Sequence, residues 1–267
     1  MSNDLKHEVE AWLVRPIGLT ATSSHPLIVN IHGGPHGVQG PAFNLQNQVC
    51  AGLGWAVLMV NYRGSIGYGQ AWSDGVFRDQ NGDEAQDVLY GVNAAIRRYT
   101  DRPQSPRRRG GSYGGQLSAW LVTITNIFKA AIPRWPVINP SPTTTGPTTR
   151  CTRRWNSARR SIRPTGSTSA LAPVIDPLRQ RREDADHADA RENDNDVPIA
   201  ESEQFYMGLK DAGVETVMVR YPREGTRTAR TEAHGGHDYA VYFLVPEALS
   251  SESLSAKRRL RIGKVGG

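Results

Sequence analysis

Gly110-Gly111-Ser112-Tyr113-Gly114-Gly115 is the most informative stretch of this 267-residue sequence. It contains Gly-x-Ser-x-Gly, a spacing typical of a sharp turn between a strand and a helix, in which the glycines permit close backbone approach and the serine hydroxyl is lifted out of the sheet. The apolar residues from Gln116 to about Ile124 predict the helix, whose amino terminus favours developing negative charge. Because glycine-rich turns with a serine also bind phosphate or simply reverse the chain, the interpretation of Ser112 as a nucleophile depends on other segments.

Strand and helix patterns alternate on both sides of this turn. The alternation predicts an α/β fold with a mostly parallel sheet and helices on both faces. The chain length favours one large domain, which we place at residues 26–245, after a linker and outer strand at 1–25 and before a disordered tail at 246–267. The predicted elements are strands at 7–14, 27–31, 55–60, 128–132 and 216–221 and helices at 43–53, 83–98, 116–124 and 200–212.

Two further segments support a hydrolytic site. His32-Gly33-Gly34-Pro35 follows a predicted buried strand and is the type of turn that supplies a backbone donor to an oxyanion, beside the amide of Tyr113. Asp194-Asn195-Asp196-Val197-Pro198 precedes a predicted helix, where the acid of a hydrolase triad is expected, and the chain order of serine before aspartate fits. Each segment also has a simpler interpretation, an ordinary strand-ending turn for the first and an exposed turn with a helix cap for the second.

Together with Asn61-Tyr62-Arg63-Gly64-Ser65-Ile66-Gly67-Tyr68-Gly69, these motifs resemble the acylaminoacyl and dipeptidyl peptidases of the prolyl oligopeptidase family. The similarity covers about residues 9–139 and 192–225. It implies an α/β-hydrolase fold, here partly degenerate, and a serine peptidase that hydrolyses short peptides near their amino ends, with acylated residues among the candidate substrates.

The resemblance also implies a role for each site residue. Ser112 is then the nucleophile, Asp194 is the acid, and the amides of Gly34 and Tyr113 form the oxyanion hole, with no metal and no cofactor. The family mechanism proceeds through serine attack assisted by histidine, an acyl-enzyme, and hydrolysis by water. A carboxylesterase on the same fold stays an alternative. The turn at residues 110–115, called the elbow below, and the turn at residues 32–35 would serve ester and amide substrates alike.

The general-base histidine of the family has no counterpart at its usual place. The family carries it in a Gly-His-Gly turn soon after the strand that ends here in Tyr-Pro-Arg-Glu-Gly, but Gly225 is followed by Thr226, which cannot serve as a base. His234 and His237 follow in His-Gly-Gly-His, a spacing compatible with a displaced base or a metal site, although histidines in a glycine-rich tail are usually only solvated. The base is therefore unassigned.

One hypothesis explains every departure of this sequence from the family pattern: the chain contains frame-shifted stretches. Residues 226–238 can be back-translated so that the adjacent frame reads Gly-His-Gly-Leu-Arg, and the same operation on 177–191 and 105–109 supplies the strands expected before Asp194 and Ser112. Residues from about 140 to 191 are then disordered or frame-shifted, and Arg107-Arg108-Arg109 stands where a buried strand belongs. Because burying unpaired guanidiniums is very unfavourable, the chain as written is expected to fold poorly, with little or no peptidase activity.

Composition limits the partners and the location. The formal charge is +6, with arginine concentrated between Arg97 and Arg191, but no nucleic-acid motif or interleaved aromatic residues accompany it, so we expect no nucleic-acid partner. The two cysteines predict neither a disulfide framework nor a metal site. No leader or membrane span is evident, which predicts a cytoplasmic location for the chain as written and no membrane contact. The oligomeric state stays open, as does the loss of the β-propeller that the family usually places upstream.

Overall fold

The computed structural model describes residues 7–16, 25–77, 79–99, 107–138 and 185–225. Thr226, His234 and His237, the expected tail at 246–267, and residues 140–184 of the expected disordered or frame-shifted segment lie outside these ranges. Everything below concerns the described residues.

Seven strands form one sheet, in the order β1-β3-β2-β4-β5-β6-β7. Strand β1 pairs with β3 antiparallel at one edge, and every other pair in the sheet is parallel. This confirms the prediction of a mostly parallel sheet with an outer strand at its edge. The strands are β1 (Ala11–Val14), β2 (Leu27–Ile31), β3 (Ala56–Val60), β4 (Arg107–Gly111), β5 (Ala130–Arg134), β6 (Ala185–Asn193) and β7 (Thr216–Gly225).

The helices cover both faces of the sheet, as expected from the alternating pattern. They are α1 (Leu45–Gly52), α2 (Gln70–Ser73), α3 (Asp83–Tyr99), α4 (Tyr113–Ile124) and α5 (Ile199–Asp211), with a short 3-10 turn at Asp74–Val76. Strand β2 shows the division between the faces, because its side chains alternate. Leu27, Val29 and Ile31 pack with residues of α3 and α4, whereas Ile28 packs with Cys50 of α1.

Strand β4 is present at the centre of the sheet, so the expectation that this strand is missing is wrong. It pairs with β2 on one side and β5 on the other. Arg108 and Arg109 are 1% and 3% exposed. Because successive side chains of a strand point to opposite faces of the sheet, the two residues have different partners. Arg108 Nε donates to the Ser118 carbonyl at 2.9 Å and its guanidinium lies 4.4 Å from the Phe128 ring centroid. Arg109 Nη2 donates to Asn47 Oδ1 at 3.0 Å. Each guanidinium is therefore buried with a hydrogen-bond partner, which offsets part of the cost of its burial.

Strand β6 also departs from expectation, because it begins at Ala185, inside the segment expected to be disordered or frame-shifted. Its pairing with β5 and β7 supplies backbone hydrogen bonds on both sides. The polar sequence Ala-Asp-His-Ala-Asp-Ala-Arg carries no apolar run from which a strand could be predicted. Neighbouring strands, rather than local propensity, thus determine this element.

Candidate active site

Ser112 occupies the turn between β4 and α4 in a backbone conformation that residues other than glycine rarely adopt. Its φ is 57° and its ψ is −119°. Such a conformation costs free energy and persists only where the surroundings hold it. Here the Ser112 amide donates to the Arg134 carbonyl of β5 at 3.1 Å, and the Ser112 carbonyl accepts from the Gln116 amide at 2.9 Å. The sharp strand-to-helix turn predicted from the sequence is therefore present.

The glycines around Ser112 are required by close contacts. A Cβ on Gly110 would lie 2.3 Å from the Gly114 carbonyl oxygen, and a Cβ on Gly114 would lie 2.2 Å from the Ile31 carbonyl oxygen. A Cβ on Gly115 would lie 2.5 Å from the Arg134 carbonyl oxygen. These are distances at which a side chain cannot be accommodated without movement of the backbone, so the first turn of α4 packs directly on the ends of the neighbouring strands.

The glycine turn after β2 lies against the elbow. A Cβ placed on Gly33 would be 2.9 Å from the Gly111 carbonyl oxygen and 3.4 Å from Ser112 Cβ. Gly34 has a φ of 137°, which only glycine adopts without strain. Tyr113 is the first residue of α4, so its amide has no partner within the helix. The glycine turn and the start of α4 thus both lie next to Ser112.

His32, which directly precedes the glycine turn, is held by Tyr62 and Ser65. The Tyr62 hydroxyl donates to the His32 carbonyl at 2.7 Å, and the two rings stack with centroids 4.3 Å apart. His32 Nε2 lies 2.9 Å from Ser65 Oγ, and its Nδ1 lies 2.9 Å from the Gly33 carbonyl oxygen. Burial lowers the pKa of His32. The contacts of His32 therefore support the glycine turn.

Arg63, in the motif between β3 and α2, joins the same side of the site to α3. Its Nε and Nη2 donate to the two carboxylate oxygens of Asp87 at 2.8 and 3.1 Å, and its Nη1 donates to Asp83 at 2.6 Å. Asp87 is fully buried. A bidentate pair of this kind fixes geometry as well as charge, so the segment that follows β3 is held firmly against α3.

Asp194 follows directly on β6, whose carboxyl end points to the same sheet edge as that of β4. It is 5% exposed, and its Oδ1 accepts from the amides of Asp196 and Val197 at 3.0 and 2.9 Å. The register links the two strands through β5, because Gly111 pairs with Arg134 and Arg134 pairs with Asp189. The topology therefore brings Asp194 and Ser112 to one edge of the sheet, with a single strand between them.

Sequence reasoning missed three residues at this edge. Trp135 lies beside Gly111, whose Cβ would be 3.1 Å from the indole Nε1. Arg191 lies over the same indole, and Glu84 binds the Tyr113 hydroxyl. The sequence places Glu84 in the helix predicted at 83–98 and Arg191 in the stretch predicted to be frame-shifted, with no site role for either residue. No sequence motif signals either contact, because both depend on elements distant in the chain.

Neither a general base nor a metal centre is identified within the described ranges. The candidate histidines and Thr226 lie beyond Gly225, where the description ends. Within residues 7–16, 25–77, 79–99, 107–138 and 185–225, no cluster of three or more His, Cys, Asp or Glu residues is suited to a metal ion. None of the described helices is both long and apolar enough to cross a membrane.

Comparisons with known proteins show the family of this chain. Residues 41–245 match the profile of the prolyl oligopeptidase family. Peptidase YuxL of Bacillus subtilis is 34% identical over 233 residues, which are 84% of this chain and 34% of the relative. The acylamino-acid-releasing enzyme of Mus musculus is 34% identical over 133 residues, covering 49% of this chain and 18% of that enzyme.

Solved structures show the same fold. An uncomplexed acylaminoacyl peptidase of Pyrococcus horikoshii superposes with a TM-score of 0.80 at 23% identity, over 96% of this chain and 42% of that chain. A puromycin hydrolase superposes with a TM-score of 0.79 at 20% identity, over 96% of this chain and 39% of that chain. The fold is thus an α/β-hydrolase fold, as expected, and the chain spans about a third of the length of the YuxL relative.

Proposed function

This chain belongs to the prolyl oligopeptidase family of serine peptidases, and we propose that it forms a catalytic domain that hydrolyses short peptides through an acyl-enzyme on Ser112. The observation that carries the proposal is the backbone of Ser112, held at a φ of 57° between β4 and α4 with the Gly33 turn against it. Strained residues cluster at functional sites. A strained serine in the turn between β4 and α4 can act as a nucleophile, because the turn exposes its hydroxyl beside the two proposed oxyanion amides.

The proposed roles follow from the contacts. The base takes the proton of the Ser112 hydroxyl as its oxygen attacks the scissile carbonyl, and the amides of Gly34 and Tyr113 bind the oxygen on which negative charge develops. The scissile C–N bond then breaks, the amine leaves with that proton, and the acyl-enzyme ester on Ser112 remains. Asp194 orients the base, and the amides of Asp196 and Val197 hold its carboxylate in place. A water then attacks the acyl carbon and releases the acid. No step in this scheme needs a cofactor.

The base is the open part of the scheme. Strand β7 ends at Gly225, which pairs with Asn193, the neighbour of Asp194. The end of β7 therefore lies next to the proposed acid, and we expect the base among the residues that follow Gly225. His234 and His237 are the candidates that the sequence offers.

The proposed substrates are short peptides with the scissile bond near the amino end, including acylated ones. Support comes from the relatives named acylamino-acid-releasing enzymes and from the acylaminoacyl peptidase folds. A carboxylesterase activity is the alternative on the same site, since two amides and a serine serve esters equally well. Matched substrates that share one acyl group and differ only in an anilide or ester leaving group would separate the two.

A second candidate is a catalytically inactive domain. The observation that favours it is the Thr226 that follows Gly225, where the family resemblance calls for the histidine turn. A frame-shifted reading of the gene would produce this substitution. Sequencing the gene across codons 103 to 240 tests that origin directly, because a restored frame would replace Thr226 by a histidine turn.

Labelling of the full chain with a serine-directed fluorophosphonate distinguishes the candidates. An active site should label at Ser112 and lose the label in Ser112→Ala, and the rate should fall by about a hundredfold or more in Asp194→Asn. His234→Ala and His237→Ala, made separately, would identify the base by a similar loss. A folded chain that does not label at Ser112 would support the inactive domain and contradict the peptidase.

A further inference from the structure

Glu84 is a buried carboxyl group that the proposed mechanism does not use. It is the second residue of α3 and is fully buried, as is Asp87 one turn further along the helix. The partner of Asp87 is Arg63, whereas Glu84 accepts hydrogen bonds from two neutral groups, the Tyr113 hydroxyl and the Asn81 amide. Glutamate is rarely fully buried unless it is paired.

The contacts of Glu84 lead to the elbow. Its Oε1 accepts from the Tyr113 hydroxyl at 2.7 Å and also from the Asn81 amide. The Gln116 side chain donates to Asn81 Oδ1 at 3.2 Å. The start of α3, the loop before it and the first turn of α4 are thus connected by hydrogen bonds that converge on Glu84 and Asn81.

Tyr113 connects this hydrogen-bond network to the proposed oxyanion hole. Its side-chain hydroxyl binds Glu84, and its backbone amide is one of the two proposed oxyanion donors. Tyr113 as a whole is only 5% exposed. A phenol held at its tip restricts rotation of the residue about the helix start, and an oxyanion donor must be placed to within a few tenths of an ångström to be effective. The hydrogen bond at the hydroxyl is therefore a means of setting the position of the amide.

The same buried layer reaches the second oxyanion donor. The Tyr62 ring stacks with that of Tyr113 at a centroid distance of 6.4 Å, and the Tyr62 hydroxyl donates to the His32 carbonyl. His32 directly precedes Gly33 and Gly34. A displacement of the Tyr113 ring would thus be transmitted to both sides of the proposed oxyanion hole.

We propose that Glu84 is a positioning residue for the oxyanion hole: by holding the Tyr113 phenol, it fixes the amide that Tyr113 presents beside Ser112. This role rests on the function proposed above. An ionised carboxylate makes a charge-assisted hydrogen bond, which is about twice as strong as a neutral one. Protonation of Glu84 therefore weakens the hold on Tyr113.

Three titratable groups face Glu84. They are Tyr113 from α4, Tyr62 from the segment after β3, and Asp79 from the loop before α3. Burial raises the pKa of Glu84 to about 7, against the lowering effect of the Tyr113 hydrogen bond. Burial raises the pKa of Tyr113 above its usual value, so this phenol stays a donor throughout.

Selective 15N-tyrosine labelling of the full chain tests the proposal without requiring activity. Tyr113→Phe identifies the Tyr113 amide resonance by its disappearance. In the unmodified protein this resonance should shift with pH, with a midpoint near 7, and Glu84→Gln, which keeps an acceptor but does not titrate, should abolish the shift. Glu203→Gln, a change on the surface of α5, should leave it intact. A shift unchanged by Glu84→Gln would overturn the proposal.

Kinetics supply the second measurement. Glu84→Leu, which removes the acceptor, should lower kcat on a peptide anilide at least tenfold with KM nearly unchanged, and Glu84→Gln should restore most of the loss. A loss confined to KM, or no rescue by glutamine, would contradict the positioning role. If Glu84→Leu does not fold, Tyr113→Phe removes the same hydrogen bond from the other side. A chain that shows the Tyr113 titration but no Ser112 labelling would contradict the proposed function and leave the structural role of Glu84 supported.

Discussion

Arg191 Nη1 lies 3.9 Å from Asp194 Oδ2, so a buried guanidinium faces the proposed triad acid. The guanidinium also lies 3.5 Å from the centroid of the Trp135 ring, and Nη1 donates to the Gly225 carbonyl at 3.3 Å. Burial lowers the pKa of Arg191, while the charge of Asp194 acts in the opposite direction. The carboxylate is thus held by amides on Oδ1 and faces a cation on Oδ2.

Removal of this cation should destabilise the domain. Taking away one member of a buried pair leaves the other charge without compensation, which costs about 3–5 kcal/mol. We expect Arg191→Met to lower the free energy of unfolding by about 3 kcal/mol in a denaturant titration at pH 7. In an Asp194→Asn background the same change should cost at least about 1 kcal/mol less, because the charge to be compensated is gone. Equal costs in the two backgrounds would show that the pair is not coupled.

The strain at Ser112 predicts an opposition between stability and reactivity. A conformation of this kind costs roughly 1–3 kcal/mol for a residue with a Cβ, and glycine adopts it freely. The free energy of unfolding of Ser112→Gly should therefore be about 1 kcal/mol higher than that of Ser112→Ala. Neither variant can be labelled at residue 112 by a fluorophosphonate. Ser112→Ala serves as the control because it removes the hydroxyl and keeps the Cβ. Equal stability of the two variants would mean that the turn stores no strain.

Gly114 should tolerate no side chain. Its Cβ would lie 2.2 Å from the Ile31 carbonyl oxygen, whereas a Cβ on Gly52, at the end of α1, meets nothing within 4 Å. Gly114→Ala is expected to lower the free energy of unfolding by about 3 kcal/mol, a value typical of overpacking, and to slow labelling of Ser112. Gly52→Ala should be neutral or slightly stabilising, because alanine is the better helix former. Thermal unfolding of both variants provides the comparison.

Glu84 should make the stability of the domain fall as pH rises. Burial raises its pKa in the folded state to about 7, above the ordinary value of 4.5, so the folded state binds the proton more tightly than the unfolded chain. The stabilisation is fully present below about pH 4.5 and is lost as pH rises through 7. The free energy of unfolding, relative to that of Glu84→Gln, should therefore decrease by about 3 kcal/mol between pH 4.5 and 8. Parallel pH profiles for the two proteins would refute this assignment.

The order of elements and the position of the elbow could be predicted from local patterns. Leu27–Ile31 and Ala56–Val60 are continuous apolar runs, and the elbow is a glycine pattern with a steric cause, so both signals are contained in a few neighbouring residues. Strands β4 and β6 could not be predicted in this way. Arg107–Gly111 and Ala185–Asn193 have polar sequences, and their neighbours in the sheet supply the pairing and the partners that their own side chains do not.

The sequence by itself was enough to predict the family and the fold class, and it marked Ser112, Asp194 and the glycine turn as candidate site residues. Only the tertiary structure decided that Arg191 faces Asp194 and that Glu84 holds Tyr113. The physical reason is distance along the chain. A turn is set by the steric limits of adjacent residues, whereas the charge and hydrogen bonding around a buried group depend on which distant elements the sheet brings beside it.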